Sequence, residues 1–208
     1  MDHEPERIAL VEAYRALLAE GLIVGSAGNV SLRIASGLLI TPSAVPAARM
    51  GPQDIATVPF DGAADGKPSS EWRFHRDLLV ARPDLTAVVH THSPNATAIA
   101  MLRRPIPAAH YMVAIAGGKE IPLAPYATFG TAELSAAICA TMARLDACLL
   151  ANHGVVAAGA TLAKAMDLAR EVELLAKVYR MALAAGEPVV LPDDEMDRVL
   201  EQFRGYGR

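Results

Sequence analysis

Two short apolar runs, "AVVHTH" at residues 87–92 and "ACLLANHG" at residues 147–154, carry histidine at their ends. Their length, and the turn residues bounding them, predict buried strands rather than helices. Side chains two apart on a strand share a face, so His90 and His92 aim together at the strand's carboxyl end. His153 repeats the arrangement on the second run, just before Gly154. Three neutral imidazoles would fill three positions of a catalytic divalent-metal site, commonly zinc, and leave room for a substrate. An isolated His-x-His pair is more often a packing or surface pair; the third histidine is what raises the metal reading.

The remaining pattern supplies a frame for those strands. Ile8, Leu10, Val11, Tyr14, Leu17 and Leu18 recur at helical spacing and predict an opening amphipathic helix. In "EGLIVGSAGNVSLRI", Gly25 and Gly28 break the chain before a short alternating strand. "GLLITPS" reads as its hairpin partner through an "ASG" turn, "DIATVPF" as a further strand and "DGAADGKPSS" as a loop. "SSEWRFHRDLLVARP" predicts a helix capped by serine and stopped before Pro83. Ser93 and Pro94 open a helix after the His-x-His strand, and Thr131 caps another. The longest helix follows Thr161 and ends at Gly186. Short strands joined by tight turns imply an α/β fold with much antiparallel pairing. No repeat, linker or compositional shift divides residues 1–208, so one domain is expected.

Composition excludes several partners. The chain is 52% hydrophobic and 20% charged, which suits a folded globular protein, and only 5% aromatic, so small aliphatic side chains must do most of the packing. Net charge is −4 with no clustered Lys or Arg, which argues against nucleic acid but leaves room for a small anion held by a few fixed groups. Cys139 and Cys148 match no ligand spacing and read as unpaired core residues. The N-terminal stretch carries acids throughout and lacks signal-peptide order, and no apolar run would span a bilayer. A cytoplasmic protein without a membrane partner is expected.

Glu71 sits at the start of the helix opened by Ser69 and Ser70. Spacing alone leaves two readings open: a carboxylate serving the helix dipole, or one that acts as metal ligand and general base. His75, one turn later, makes a Glu71/His75 pair a competing partial site. His3 and His110 are less pointed. Unpaired N–H groups at that helix start, the serine hydroxyls, the "GSAGNVS" turn and the "TPS" turn at Thr41–Ser43 could together hold a phosphate.

The sequence resembles the class II aldolase/adducin family over nearly its whole length. The resemblance runs through "GLIVGSAGNVS", "LLITPS", "PSSEWRFH", "AVVHTHS", "IPAAHYMVAIAGG", "IPLAPYATFGTAEL", "NHGVVA" and "FRGYG". It implies a central, largely antiparallel sheet flanked by helices on both faces. It also implies a cyclic homotetramer with active sites at subunit interfaces. By resemblance His90, His92 and His153 bind one Zn²⁺ per subunit, with Mn²⁺, Co²⁺ or Fe²⁺ as substitutes, and Glu71 is fourth ligand and acid/base. Gly28, Asn29, Ser43, Ser69 and Ser70 fall in the phosphate-binding positions. Tyr111 corresponds to a tyrosine that reaches a neighbouring subunit's site and protonates the aldehyde oxygen, and Phe129 and Tyr206 to wall and lid residues. The implied activity is reversible cleavage of a ketose 1-phosphate of the L-fuculose 1-phosphate type. Its products are dihydroxyacetone phosphate and a short aldehyde such as L-lactaldehyde. The same chemistry on 5-deoxyribulose 1-phosphate or methylthioribulose 1-phosphate is the alternative. A sugar-phosphate 4-epimerase would be expected to carry aspartate in place of Glu71. A non-catalytic adducin-like module would be expected to have lost the metal set. One departure stands out: Ala44 follows "TPS" where the family commonly has glycine, and a positive φ there would strain the loop.

Overall fold

Strand β4 (Ala87–Thr91) is buried over its whole length, as the apolar run that forms it requires, and the other strands are arranged around it. The computed structural model describes residues 2–204. Its sheet has seven strands in the order β3-β2-β1-β4-β7-β6-β5. These are β1 (Asn29–Ile34), β2 (Gly37–Ile40), β3 (Ala56–Pro59), β5 (Leu123–Ala124), β6 (Ala147–Leu150) and β7 (Gly154–Gly159). Neighbours pair antiparallel except β5 with β6, which run parallel. The expected largely antiparallel sheet is what forms.

Alternation along the strands sorts the core into two layers. Val30, Leu39, Val89, Val155 and Ala157 face helices α1 (Glu4–Ala19), α3 (Pro94–Met101) and α5 (Leu162–Ala185), meeting Leu10, Leu17, Ile99 and Val172. Leu38, Ile40, Val88, Cys148 and Val156 face α2 (Trp72–Ala81) and α4 (Ala132–Thr141), meeting Phe74, Leu78, Leu134 and Ile138. Helices thus cover both faces, as the resemblance implied. On α5 the buried residues Ala165, Ala169 and Ala176 let the helix lie close to the sheet, which is how a chain poor in aromatics fills its interior.

Several local expectations change in detail. The β1–β2 turn is shorter than "ASG": Gly37 already belongs to β2, because a Cβ there would stand 2.2 Å from the Val58 carbonyl oxygen of β3. Helix α2 starts at Trp72, with Glu71 at the N-cap position and no side-chain cap. Ser69 instead accepts a 3.3 Å hydrogen bond from the Glu71 N–H. Ser93 stands at the N-cap of α3, but its hydroxyl does not cap. Thr131 caps α4 by accepting from the Leu134 N–H, and Gly186 ends α5. Strands β5 and β7, the 3₁₀ turn Tyr111–Ala116 and helix α6 (Asp193–Phe203) were not anticipated. Cys139 and Cys148 are unpaired. Among the described residues no helix is long and apolar enough to cross a membrane.

Candidate active site

Four side chains converge where β4 ends. His90 lies on β4 with its ring fully buried, and His92 follows one residue beyond the strand. His153 occupies the three-residue turn between β6 and β7, closed by the Leu150–Gly154 pair. Gly154 is required there by packing: a Cβ would stand 2.3 Å from the Thr91 carbonyl oxygen and 3.0 Å from the His92 ring. That close approach brings the His153 turn against the end of β4. Glu71, at the start of α2, completes the group from the opposite layer.

The donor atoms suit a divalent cation. His90 Nε2 stands 3.0 Å from His92 Nε2 and 3.2 Å from Glu71 Oε2, and His153 Nε2 is 3.4 Å from Glu71 Oε1. The candidate ligand nitrogens of His90, His92 and His153 all lie within 4.8 Å of one another. Ligand atoms around a tetrahedral zinc stand about 3.3 Å apart, given metal–ligand lengths near 2.0–2.1 Å. His90 Nδ1 lies 2.8 Å from the Val155 carbonyl oxygen, which can only accept, so the ring proton is on Nδ1 and Nε2 presents its lone pair to the cluster. Two imidazole nitrogens 3.0 Å apart and a buried Glu71 Oε1 without a hydrogen-bond partner among the described residues are a donor set that a cation would satisfy.

Protonation follows from burial and mutual charge. Burial, then the neighbouring His90, lowers His92 to about 4 and His153 to about 4, so both rings are neutral lone-pair donors at pH 7. Burial works against the Glu71 carboxylate, but His90, then His153 and the Asn29 amide, hold its carboxyl well below the usual range. Burial pulls His90 down, but Glu71 and the Val155 carbonyl together leave it raised. A positive charge is therefore wanted at this point.

His92, His153 and Glu71 open onto a cleft of about 350 Å³ that also receives Gly28, Asn29, Ser43, Ser69, Ser70 and Phe129. Ser43 reaches it because residues 41–43 pair with 67–69: the Ser43 N–H donates to the Lys67 carbonyl and the Ser69 N–H to the Thr41 carbonyl. Gly28 has φ +73°, and a Cβ on it would lie 2.6 Å from the His90 carbonyl oxygen. The glycine is thus demanded by the backbone of β4. Tyr14 of α1 fixes the same turn, its hydroxyl 3.1 Å from the Ala27 carbonyl and 3.2 Å from that of Gly28. Asn29 lines the cleft, yet its side chain is committed inward, donating to Ser69 Oγ at 2.9 Å and to Glu71 Oε2 at 3.1 Å. Ala44 adopts φ +59°, so the condition under which alanine after "TPS" would strain the loop is met.

Three expected residues do not join this group among the described residues. Tyr111 is half-exposed, stacks on His110 and does not line the cleft of its own chain. Tyr206 lies outside the described residues. His75 is fully buried and both its ring nitrogens are taken up by Ser31 and Asn29, so it offers no nitrogen for a site shared with Glu71. Sequence reasoning missed Tyr126 and Asn152, which also line the cleft. Asn152 precedes His153 in a left-handed conformation, φ +55°, and accepts from Arg103 Nε at 2.8 Å. Among the described residues no Lys or Arg lines the cleft, so an anion would depend on hydroxyls, N–H groups and the α2 N-terminus.

Comparison with known proteins agrees with this geometry. The family model described as Class II Aldolase and Adducin N-terminal domain matches residues 8–180. A 5-methylthioribulose-1-phosphate/5-deoxyribulose-1-phosphate aldolase of Rhodospirillum rubrum is 55% identical over 203 residues, covering 97% of this chain and 92% of the relative. An L-fuculose phosphate aldolase of Escherichia coli is 50% identical over 190 residues, covering 90% and 88%. A solved L-fuculose 1-phosphate aldolase superposes with a TM-score of 0.93 at 38% identity, covering 98% of both chains.

Proposed function

Because the chain belongs to the class II aldolase and adducin N-terminal domain family, we propose that it is a metal-dependent aldolase. It reversibly cleaves a ketose 1-phosphate to dihydroxyacetone phosphate and a short aldehyde. The observation that carries this reading is the convergence of Glu71, His90, His92 and His153 on one cleft edged by Ser43, Ser69 and Ser70. Glu71, His90, His92 and His153 would hold the cation, for which zinc is the proposed identity. When bound, it supplies a Lewis-acid sink for the negative charge left on the ketone fragment as the C3–C4 bond breaks.

The chain's own groups do the rest. Glu71, kept ionised by its surroundings, moves the proton at the dihydroxyacetone carbon. The N–H groups and hydroxyls of the Gly28, Ser43, Ser69 and Ser70 turns anchor the phosphate, so orientation comes from the non-reacting end of the substrate. Asn29 contributes through its backbone and through its hold on Glu71, not through a free amide. Phe129, joined by Tyr126, walls the aldehyde end. In the same reading, four chains assemble cyclically in the cytoplasm. Tyr111 of one chain serves the aldehyde oxygen in its neighbour's site, and Tyr206 closes over it. The exposure of Tyr111 and its distance from its own cleft support that assignment.

The Rhodospirillum relative matches at higher identity over more of the chain than the Escherichia coli one. This supports 5-methylthioribulose 1-phosphate or 5-deoxyribulose 1-phosphate ahead of L-fuculose 1-phosphate as the substrate. The test is kcat/KM for triose-phosphate release from each of the three, with and without EDTA. The expected result is EDTA-sensitive cleavage with one of the ribulose phosphates preferred. Absence of cleavage for all three by zinc-loaded protein would overturn the reading.

A further inference from the structure

His75 belongs to none of the groups above, yet its polar partners lead back to Glu71. It stands one turn after Glu71 on α2, wholly buried and stacked on Phe74 with ring centroids 4.4 Å apart. Its Nδ1 lies 2.7 Å from Ser31 Oγ, and its Nε2 is hydrogen-bonded to Asn29 Oδ1. An amide oxygen only accepts, so the ring proton is on Nε2 and Nδ1 accepts from the Ser31 hydroxyl. Burial, then His90 nearby, lowers His75 to about 3, which keeps the ring neutral and this tautomer in place.

The other end of Asn29 faces Glu71 Oε2 and Ser69 Oγ. Turning that amide over would aim its oxygen at the carboxylate and its NH₂ at the His75 N–H, two repulsions between buried groups. The Glu71 carboxylate draws the amide NH₂ and the His75 N–H holds the amide oxygen, so the two together fix Asn29 between them. Asn29 and Ser31 are two apart on β1, so they share a face, and the polar chain runs along that face from Ser31 through His75 and Asn29 to Glu71.

We infer that His75 is a positioning residue for Glu71, acting through Asn29, with Ser31 holding the other ring nitrogen. The inference rests on the reading of Glu71 as proton carrier and metal ligand. Outer partners of metal ligands typically change affinity or activity by about 10–100-fold when removed. The variants are His75→Leu, which removes both ring contacts, His75→Gln, which places an amide nitrogen where Nε2 lies, and Ser31→Ala. Two quantities are read on the intact protein: kcat and KM at full metal loading, and zinc affinity by chelator competition.

For His75→Leu, kcat is expected to fall about 50-fold with KM within about threefold, and zinc affinity to weaken about tenfold. His75→Gln should recover to within about fivefold of the parent, and Ser31→Ala should lose about fivefold in kcat. Should His75→Leu fail to fold, Ser31→Ala and His75→Gln decide the matter by the same readings. The inference is overturned if the folded variants keep the parent's kcat and zinc affinity within twofold. It is equally overturned if their losses follow thermal stability alone, with no rescue by Gln. If the parent cleaves none of the sugar phosphates, the proposed function fails, and the zinc-affinity series still tests the positioning of Glu71.

Discussion

On β1 and β4, adjacent residues of one strand serve opposite purposes. Val30 and Val89 point into the layer of α1, α3 and α5, where the side chains that meet them are apolar. Asn29, Ser31 and His90 point toward α2 and are equally buried, but each is held by a specific polar partner. The apolar side tolerates nothing but volume, and the polar side tolerates nothing but geometry. A two-residue period along a strand lets a rigid core and a reactive cluster share one backbone, so the site inherits the stiffness of the sheet.

The sharpest way to break that contrast is Glu71→Gln. It keeps size and burial but removes the charge and the proton acceptor, so kcat should drop about 10³-fold while the melting temperature stays near that of the parent. A variant that cleaves sugar phosphate at the parental rate would take Glu71 out of the proton-transfer role. The mirror experiment is Leu10→Ala on α1, fully buried in the apolar layer. Stability should fall by about 2–5 kcal/mol by denaturant titration. At temperatures where the variant is folded and metal-loaded, kcat should remain within about twofold of the parent's, since Leu10 lies across the sheet from the candidate site.

The same division decides what could be read from the sequence. The apolar layer announces itself by period, so α1, β4 and α5 were legible from residues such as Leu10, Val89 and Val172. The imidazoles were legible because strand ends and turns are marked by composition. Strand β7 was not: Gly154, Ala157, Ala158 and Gly159 are poor strand formers, and the strand is covered on both faces, so nothing alternates. Helix α6 did carry a signal in Asp193, Asp194 and Glu195 in its first turn, but it buries only Met196. Spacing could not decide Glu71, because a helix start suits a capping carboxylate and a metal ligand equally. Its distances to His90 and His153 are what support the second reading. The inward commitment of Asn29 was likewise hidden, since its partners Ser69, Glu71 and His75 lie some forty residues away in the chain.

Acid should expose the polar face before the apolar one. Burial lowers His75 from the ordinary imidazole value of about 6.5 to about 3 in the folded chain. Between those values the unfolded chain binds a proton that the native chain refuses, so stability rises with pH across this window and is lost on acidification. The slope from one such group approaches about 1.4 kcal/mol per pH unit below its unfolded pKa. His92 and His153 add terms of the same sign, and these largely cancel when the parent is compared with His75→Gln. Between pH 6 and pH 5 the metal-free parent should therefore lose about 1 kcal/mol more than that variant. Parallel stability curves for the two proteins would mean that the ring is protonated in the native state.

The smallest effect expected is at Ala44, where the cleft itself offers a comparison. Gly28 and Ala44 both adopt positive φ, +73° and +59°. At Gly28 a side chain is barred twice, by conformation and by the His90 carbonyl oxygen 2.6 Å from any Cβ. Ala44 already carries its Cβ, so the only charge against it is the left-handed backbone, about 1–2 kcal/mol for a residue other than glycine. Ala44→Gly removes that strain and returns about 0.4–1 kcal/mol to the unfolded chain as freedom. The strain is the larger quantity, so the variant should be more stable by about 0.5 kcal/mol. Since the turn geometry is already adopted, KM for the sugar phosphate should fall by no more than about twofold. A large drop in KM would show instead that Ala44 holds the Ser43 hydroxyl away from the phosphate, and that the loop's conformation, not its hydroxyls, limits binding.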